Sequence, residues 1–309
     1  MPVNFLCLTG LLVMSYLIGV TALWAFSFSL IGVYLSGQVD SYLAVLTRIV
    51  LASLIFAPFL RPRAISGRIR WQLMAIGAVQ LGLMYIFFYR SFLLLPVPEV
   101  LLFTIFTPIY ITLLDDMMKR RLSPFYLLTA MVAVIGAAII RYDGVTEGFW
   151  LGFAVVQGAN LCFAIGQVAY RHLSPQLPEG VAHRHVFGWF YLGALALVVV
   201  MFLLFGNTDK LPSQPVHFVV LGWLGIVASG MGYFLWNKGA TRVDAGTLAI
   251  MNNALVPAGL LVNLLIWNRD ADLPRLALGG AVIVLALLIN QFWARQREQS
   301  SPGRPHHCR

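Results

Sequence analysis

Charged side chains are scarce in this sequence. Of its 309 residues, 11% are charged and 60% are hydrophobic, and the mean hydropathy is +0.82. A soluble domain of this size needs far more polar surface to stay in solution. The composition therefore excludes an ordinary soluble protein and indicates one that is embedded in lipid.

Cysteines and enzyme motifs are also sparse. Cys7, Cys162 and Cys308 lack the spacing of metal ligands or of a disulfide framework. The chain contains no HExxH, no phosphate-binding glycine loop and no GxSxG. We therefore predict no catalytic residues, metal or cofactor. The net charge of +9 is interpreted as a signal of membrane topology, and no nucleic-acid partner is predicted.

What the sequence does contain is ten apolar stretches. A helix needs about 20 apolar residues to cross about 30 Å of hydrocarbon. Open sheets cannot face lipid, and these stretches do not alternate as barrel strands do, so we predict an all-α polytopic membrane protein in contact with the lipid bilayer. The predicted spans, numbered 1 to 10, are 14–35, 41–60, 71–90, 96–114, 122–141, 149–170, 186–205, 217–237, 245–267 and 275–294. Residues 1–13 are interpreted as a possible start-site extension, because 1–35 is too long for one span.

Lysine and arginine crowd one side of these spans. Fifteen lie in the tail and in the loops that follow even-numbered spans, against five on the opposite face. Basic residues remain on the cytoplasmic side of a membrane. We therefore predict that both termini are cytoplasmic and that residues 295–309 form a cytoplasmic tail.

The two halves of the chain look alike. LMYIFFYRSF in spans 3–4 corresponds to MGYFLWNKGA in spans 8–9, which aligns Tyr85 with Tyr233 and, with one residue of slip, Pro108 with Pro257. Each half has five spans, so the second half must be inverted relative to the first. Inverted repeats are typical of secondary transporters, which bind substrate near the midplane between the repeats. The predicted repeats are residues 14–141 and 149–294.

Several runs carry a resemblance to a known family. They are LWAFSF, QLGLMY, EVLLFTIFTPIYITL, IGAAIIRYD, FAIGQVAY and GATRVDAGTLAIMNNALVPAGLLVNLLIW. On these runs the chain resembles the drug/metabolite transporter superfamily, in particular its EamA-type members. Within them it is similar to the biotin importers of enteric bacteria. The resemblance implies two inverted five-helix repeats, biotin as the small-molecule partner, and a bacterial cytoplasmic membrane.

Arg48 is a charged residue deep inside predicted span 2, about 12 Å from its outer end. A cation at this depth costs a few kcal/mol unless it is paired. We predict either a contact for the carboxylate of an anionic substrate such as biotin, or a structural role. In the structural role, Glu99, which enters from the same face, would form an ion pair with Arg48, or the Arg48 side chain would snorkel. The alternative for Glu99 is a titrating proton carrier in a coupling ion pair with Arg48.

Polar side chains in spans 6 and 9 are further candidates. Asn252 and Asn253 precede Pro257, which removes a helix hydrogen bond and should loosen the backbone. Their amides suit a ureido ring, although adjacent residues on a helix face about 100° apart. Asn160 and Gln167 lie seven residues apart on one face. The alternative for all four is interhelical packing.

Aromatic residues could hold an apolar ring. The candidates are Trp24 in span 1, Tyr85 in span 3, and Tyr233 and Trp236 in span 8. On the family resemblance, we predict an alternating-access importer of biotin, with Arg48 handling the charge, the asparagines polar recognition and the aromatic residues the ring. The alternatives are an exporter of amino acids, amines or drugs on the same fold, and a membrane-embedded enzyme or lipid-handling protein, for which the spans show no catalytic constellation.

Overall fold

The protein is helical in all the secondary structure that can be described. The computed structural model describes residues 3–118, 147–243 and 245–267, with isolated helical positions between 274 and 289. Within these residues, seven segments are long and apolar enough to cross a membrane: Ser15–Leu35, Ser41–Phe59, Gly67–Ser91, Val97–Met118, Gly148–Gln176, His183–Phe205 and Pro215–Ala240. They correspond to predicted spans 1–4 and 6–8, and helix Ala245–Ile266 corresponds to span 9. Predicted span 5 lies outside the described residues, and span 10 lies largely outside them.

Helix ends carry the capping chemistry that the sequence supplies. Asp40 precedes helix Ser41–Phe56, and its carboxylate accepts the Leu43 N–H at 2.8 Å. Ser66 accepts the Ile69 N–H at 3.4 Å before helix Gly67–Gly77. These side chains satisfy backbone donors that a helix start leaves open. The loop boundaries predicted from hydropathy are therefore reinforced by local hydrogen bonds.

Span 4 extends further than the hydropathy predicted. Its last helix, Thr107–Met118, continues past the predicted end at residue 114. Asp115 is consequently buried within that helix. Its carboxylate lies 3.3 Å from His172 Nε2, at the end of span 6. The predicted end of span 4 falls short because apolar runs mark the lipid core and miss helix that continues beyond it.

Three described spans contain wide π-helical turns, and those of spans 3 and 8 lie at matching places. The other, Ile31–Leu35, ends span 1. Span 3 consists of helix Gly67–Gly77, π-helix Ala78–Leu83 and helix Met84–Ser91. Span 8 consists of helix Pro215–Trp223, π-helix Leu224–Gly232 and helix Tyr233–Ala240. A π-turn displaces the regular backbone bonds and is frequent at functional sites. Both π-segments end directly before the helical turns that carry the aligned tyrosines.

Span 4 is interrupted near its middle. Helix Val97–Phe103 passes through the 3₁₀ turn Thr104–Phe106 into helix Thr107–Met118. The second residue of the last helix is Pro108, which has no N–H for the carbonyl one turn earlier. Helix Ala245–Ile266, by contrast, continues through Pro257. The irregular backbone predicted beside Pro257 therefore occurs beside its counterpart in span 4.

Spans from the two halves of the chain pack against each other. Span 2 contacts span 7, and span 4 contacts span 9. Span 1 packs on spans 8 and 9, and span 6 packs on spans 3 and 4. Span 7 packs on span 3, and span 2 packs on span 8. Among the described residues, the most extensive packing between spans therefore joins the two halves.

Spans 3 and 7 meet at two glycines. A Cβ atom added to Gly77 would meet the backbone of Phe190, and one added to Gly193 would meet the backbone of Met74. Without a hydrophobic drive between helices in lipid, association depends on such close packing of small residues. These glycines therefore allow direct backbone contact between the two spans.

Candidate functional site

A cavity of about 80 Å³ lies between the two halves. Small-molecule sites commonly combine apolar walls with a few polar groups. This cavity has that character. Spans 1 to 4 contribute Trp24, Ser27, Phe28, Arg48, Met84, Tyr85, Phe88, Thr104 and Thr107; spans 6, 8 and 9 contribute Ala159, Asn160, Phe163, Tyr233, Asn252 and Leu255.

Arg48 supplies the positive charge of this cavity. Its side chain is 2% exposed. Nε donates to Ser229 Oγ at 2.9 Å, Nη1 to Tyr89 Oη at 3.1 Å and Nη2 to Tyr85 Oη at 2.9 Å. The guanidinium carbon also lies 4.1 Å from the centre of the Tyr85 ring. A guanidinium has five N–H groups, so these bonds leave two for a ligand.

The partners of Arg48 differ from the expected one. All three hydrogen-bond partners are neutral hydroxyls, and no salt bridge between described residues joins Arg48 to Glu99. Glu99 is buried in the first turn of helix Val97–Phe103. The predicted ion pair is thus replaced by a hydroxyl cage. Span 2 reaches Ser229 because it packs on the π-segment of span 8, and it also contacts helix Met84–Ser91 of span 3, which carries Tyr85 and Tyr89.

The π-segment of span 8 joins several parts of the site. The Ser229 hydroxyl also bonds to Tyr85 Oη at 2.9 Å. Trp24 Nε1 donates to the Ala228 carbonyl at 3.0 Å. Tyr191 Oη donates to the carbonyls of Ser229 and Gly230 at 2.7 and 3.1 Å. Carbonyls at this wide turn are therefore available to side chains from spans 1 and 7. Tyr191 is fully buried here.

Aromatic rings form one wall of the cavity. The Trp24 ring centre lies 4.7 Å from that of Tyr233 and 6.0 Å from that of Phe163. Trp236 lies against Trp24 at 5.0 Å but does not line the cavity. It therefore supports the wall from behind, although the sequence analysis placed it among the substrate contacts.

Asn160 is positioned by the break in span 4. Its Nδ2 donates to the Phe103 carbonyl at 2.8 Å and to Gln157 Oε1 at 3.1 Å. The Thr107 N–H and hydroxyl both go to the Thr104 carbonyl, the hydroxyl at 2.8 Å. The 3₁₀ turn thereby directs the Thr107 N–H away from the Phe103 carbonyl, its partner in a regular α-helix. The Phe103 carbonyl accepts from Asn160 Nδ2 instead. Both Asn160 bonds use nitrogen, so Oδ1 is left to accept from a ligand.

Asn252 and Gln167 form an amide pair across spans 6 and 9. Gln167 Nε2 lies 3.4 Å from Asn252 Oδ1, and Asn252 Nδ2 lies 3.3 Å from Gln167 Oε1. Asn252 Nδ2 also donates to the Leu248 carbonyl at 2.8 Å. Asn252 lines the cavity, and Gln167 holds it from behind. The Asn253 side chain lies outside the described residues.

Six of the nine predicted substrate contacts thus meet in one cavity: Trp24, Arg48, Tyr85, Asn160, Tyr233 and Asn252. Other lining residues were missed, yet helical periodicity marks several of them. Residues three or four positions apart share a helix face, which places Ser27 and Phe28 beside Trp24, and Phe88 beside Tyr85. No sequence signal connects Ser229 with Arg48, because they lie 181 positions apart.

Polar contacts outside the cavity join other helices. Asn263 Nδ2 donates to Ser29 Oγ at 3.0 Å between spans 9 and 1. Lys238 Nζ lies 5.0 Å from the Tyr16 ring centre at the predicted cytoplasmic edge. Among the residues that the structure describes, no group of three or more His, Cys, Asp or Glu is placed to hold a metal ion.

Comparison with known proteins points to one family. The EamA-like transporter family matches the chain twice, over residues 11–142 and 150–291. A probable biotin transporter of Pseudomonas aeruginosa is 54% identical over 283 residues, covering 92% of this chain and 99% of that protein. The biotin transporter of Escherichia coli K12 is 50% identical over 297 residues, covering 96% and 99%. That of Salmonella typhimurium is 51% identical over 285 residues, covering 92% and 95%.

A solved structure supports the same overall fold. The crystal structure of a protein that is 20% identical superimposes with a TM-score of 0.64 and covers 92% of this chain and 99% of its own. This similarity concerns the fold alone.

Proposed function

The chain belongs to the EamA-like transporter family, and on that premise we propose that it imports biotin across the bacterial cytoplasmic membrane. Support comes from the relatives named biotin transporters, which match it at 50–54% identity over nearly its whole length. The single structural observation that carries the proposal is the buried guanidinium of Arg48 in the cavity wall, surrounded by neutral hydroxyls.

The charge of Arg48 suits the carboxylate of biotin. A buried charge is costly unless an opposite charge or hydrogen bonds compensate it. Hydroxyl dipoles satisfy part of the guanidinium, and a carboxylate that accepts the two remaining N–H groups would complete it. The hydroxyl cage of Tyr85, Tyr89 and Ser229 would hold the guanidinium in place for this contact.

The remaining walls suit the fused ring of biotin. Trp24, Phe163 and Tyr233 offer flat aromatic surfaces to the apolar part of the ring. Asn160 Oδ1 can accept from a ureido N–H, and the Asn252 amide offers further polar contacts. An apolar cavity with a few fixed polar groups is the usual arrangement for recognising a small molecule.

We further propose ten spans arranged as two inverted five-helix repeats, residues 14–141 and 149–294. If the halves are equivalent, each contact between two spans should have a counterpart five spans along. The contact of span 3 with span 7 has its counterpart in that of span 8 with span 2, and the contact of span 1 with span 9 in that of span 6 with span 4. All four contacts occur. The π-segments Ala78–Leu83 and Leu224–Gly232 fall in spans 3 and 8, which the exchange also relates. The π-segment Ile31–Leu35 of span 1 has no counterpart in the helix of span 6. The twofold match of the family gives independent support.

The proposed mechanism is alternating access around the cavity between the repeats. A site between inverted repeats can open to either side when one repeat rocks against the other. The excess of basic residues in the tail and in the loops after even-numbered spans supports cytoplasmic termini. Substrate would then enter from the periplasmic side and leave toward the cytoplasm.

Uptake of labelled biotin by a biotin-auxotrophic strain tests this function. Cells that express the protein should accumulate biotin from low external concentrations, and cells that carry an empty vector should not. A protonophore added in parallel distinguishes proton-coupled uptake from uptake that does not use the gradient. Absence of uptake, with efflux of amino acids, amines or drugs instead, would favour the exporter.

A further inference from the structure

The Ser27 hydroxyl in the cavity wall lacks a hydrogen-bond partner among the described residues. Ser27 lies in span 1, between Trp24 and Phe28 on the face that lines the cavity. Its side chain is 5% exposed. A buried hydroxyl that lacks a partner is unfavourable in the protein alone and needs an explanation.

Other hydroxyls inside the spans bond to their own helix. Thr21 donates to the Leu17 carbonyl at 2.9 Å. Ser53 donates to the Ile49 carbonyl at 2.7 Å. Such bonding to the preceding turn is the ordinary way for serine and threonine to be satisfied in a helix. Ser27 could be satisfied in this way but is turned toward the cavity.

Four neighbouring polar side chains of the wall each already have a hydrogen-bond partner within the protein. The Thr104 and Thr107 hydroxyls donate to carbonyls of their own span at 2.7 and 2.8 Å. The amide nitrogens of Asn160 and Asn252 donate to carbonyls at 2.8 Å each. The Ser27 hydroxyl, which can both donate and accept, differs from these four groups because its bonding capacity is unused.

We propose that Ser27 is a substrate-binding residue whose hydroxyl hydrogen-bonds to a polar atom of the substrate's ring. The position between Trp24 and Phe28 places this hydroxyl where an apolar ring would rest, and Arg48 takes the carboxylate. A cyclic urea offers both a carbonyl acceptor and N–H donors to such a group. The assignment rests on the proposed biotin transport and adds a recognition contact from span 1.

The Ser27→Ala variant tests the assignment, with Ser53→Ala as the matched control outside the cavity. We expect Ser27→Ala to raise the half-saturating biotin concentration by roughly twofold to tenfold, the range for one neutral hydrogen bond. Maximal uptake per transporter should be unchanged. Ser27→Cys keeps the shape but donates weakly, so it should fall between Ser27→Ala and the parent. Ser53→Ala should leave the half-saturating concentration unchanged.

Melting of the purified protein in detergent provides a second measurement. Because Ser27 makes no bond without substrate, Ser27→Ala should melt at or above the parent temperature in the absence of biotin. The rise in melting temperature on adding biotin should be smaller than for the parent. Unchanged biotin affinity in Ser27→Ala would overturn the assignment, whether the biotin-free melting temperature holds or falls. If the parent protein is neither stabilised by biotin nor able to take it up, the proposed function fails, and the Ser27 assignment fails with it.

Discussion

Replacing Arg48 by methionine tests whether the guanidinium reads the charge of the substrate. Methionine keeps much of the length and apolar volume but removes the charge and its donors. Tyr85 and Ser229 lie 2.9 Å apart and remain hydrogen-bonded to each other. Of the three hydroxyls in the cage, only that of Tyr89 then loses its described partner. We therefore expect Arg48→Met to reach the membrane at nearly normal abundance.

Transport should respond much more strongly than abundance. A hydrogen bond to a charged group contributes about 1.5–3 kcal/mol. Since each 1.4 kcal/mol is a factor of ten, losing even one of the two proposed bonds should raise the half-saturating biotin concentration by roughly tenfold to 150-fold. Arg48→Lys retains a charge but cannot reproduce the fork geometry, so it should lose less than Arg48→Met.

A neutral analogue separates charge recognition from packing. Biotinamide lacks the carboxylate, so it should compete poorly with labelled biotin at the parent transporter. In Arg48→Met, biotin and biotinamide should compete with similar strength. If the variant still prefers biotin by the parent ratio, or if abundance and uptake fall together at unchanged affinity, Arg48 has a structural role only.

Three other predictions concern the packing of spans 3 and 7, the amide of Asn252 and the topology of the chain. Gly193→Ala should lower the melting temperature, because overpacking against the Met74 backbone costs about 1–3 kcal/mol. Gly222→Ala, where a Cβ meets nothing within 4 Å, is the control. Equal melting temperatures of the two variants would contradict the close contact between spans 3 and 7. Asn252→Ala should raise the half-saturating biotin concentration by about twofold to tenfold at constant abundance; a parallel loss of abundance would make it packing. Reporter fusions after span 2 and at the C-terminus should both report cytoplasmic, and an outside signal would overturn the topology.

The candidate site was predicted unevenly, and the reason lies in the kind of interaction. Arg48, Asn160 and Asn252 stand out because polar groups are expensive inside lipid, whatever their neighbours. Trp236 was predicted as a substrate contact but supports Trp24 from behind. Whether an aromatic ring faces a cavity or another ring depends on helix rotation, which an apolar sequence leaves almost unmarked.

Arg48 was likewise predictable from the sequence as a site residue, but its hydrogen-bond partners were not. Glu99 was a reasonable partner from depth and charge alone. The structure instead brings Tyr85, Tyr89 and Ser229 to the guanidinium, across separations of 37 to 181 residues. The decisive element is the π-segment Leu224–Gly232, where small residues let span 2 approach closely.

The sequence by itself determined the helical class, the positions of the described spans and the polar residues that needed an explanation. Those properties follow from local requirements, since lipid leaves each backbone to satisfy its own hydrogen bonds and rejects isolated polar groups. Only the tertiary structure decided which spans cross, which hydroxyls surround Arg48 and which hydroxyl, that of Ser27, faces the cavity without a partner. These relations depend on van der Waals packing between apolar helix faces, which carries little periodic signal when lipid is as apolar as the protein.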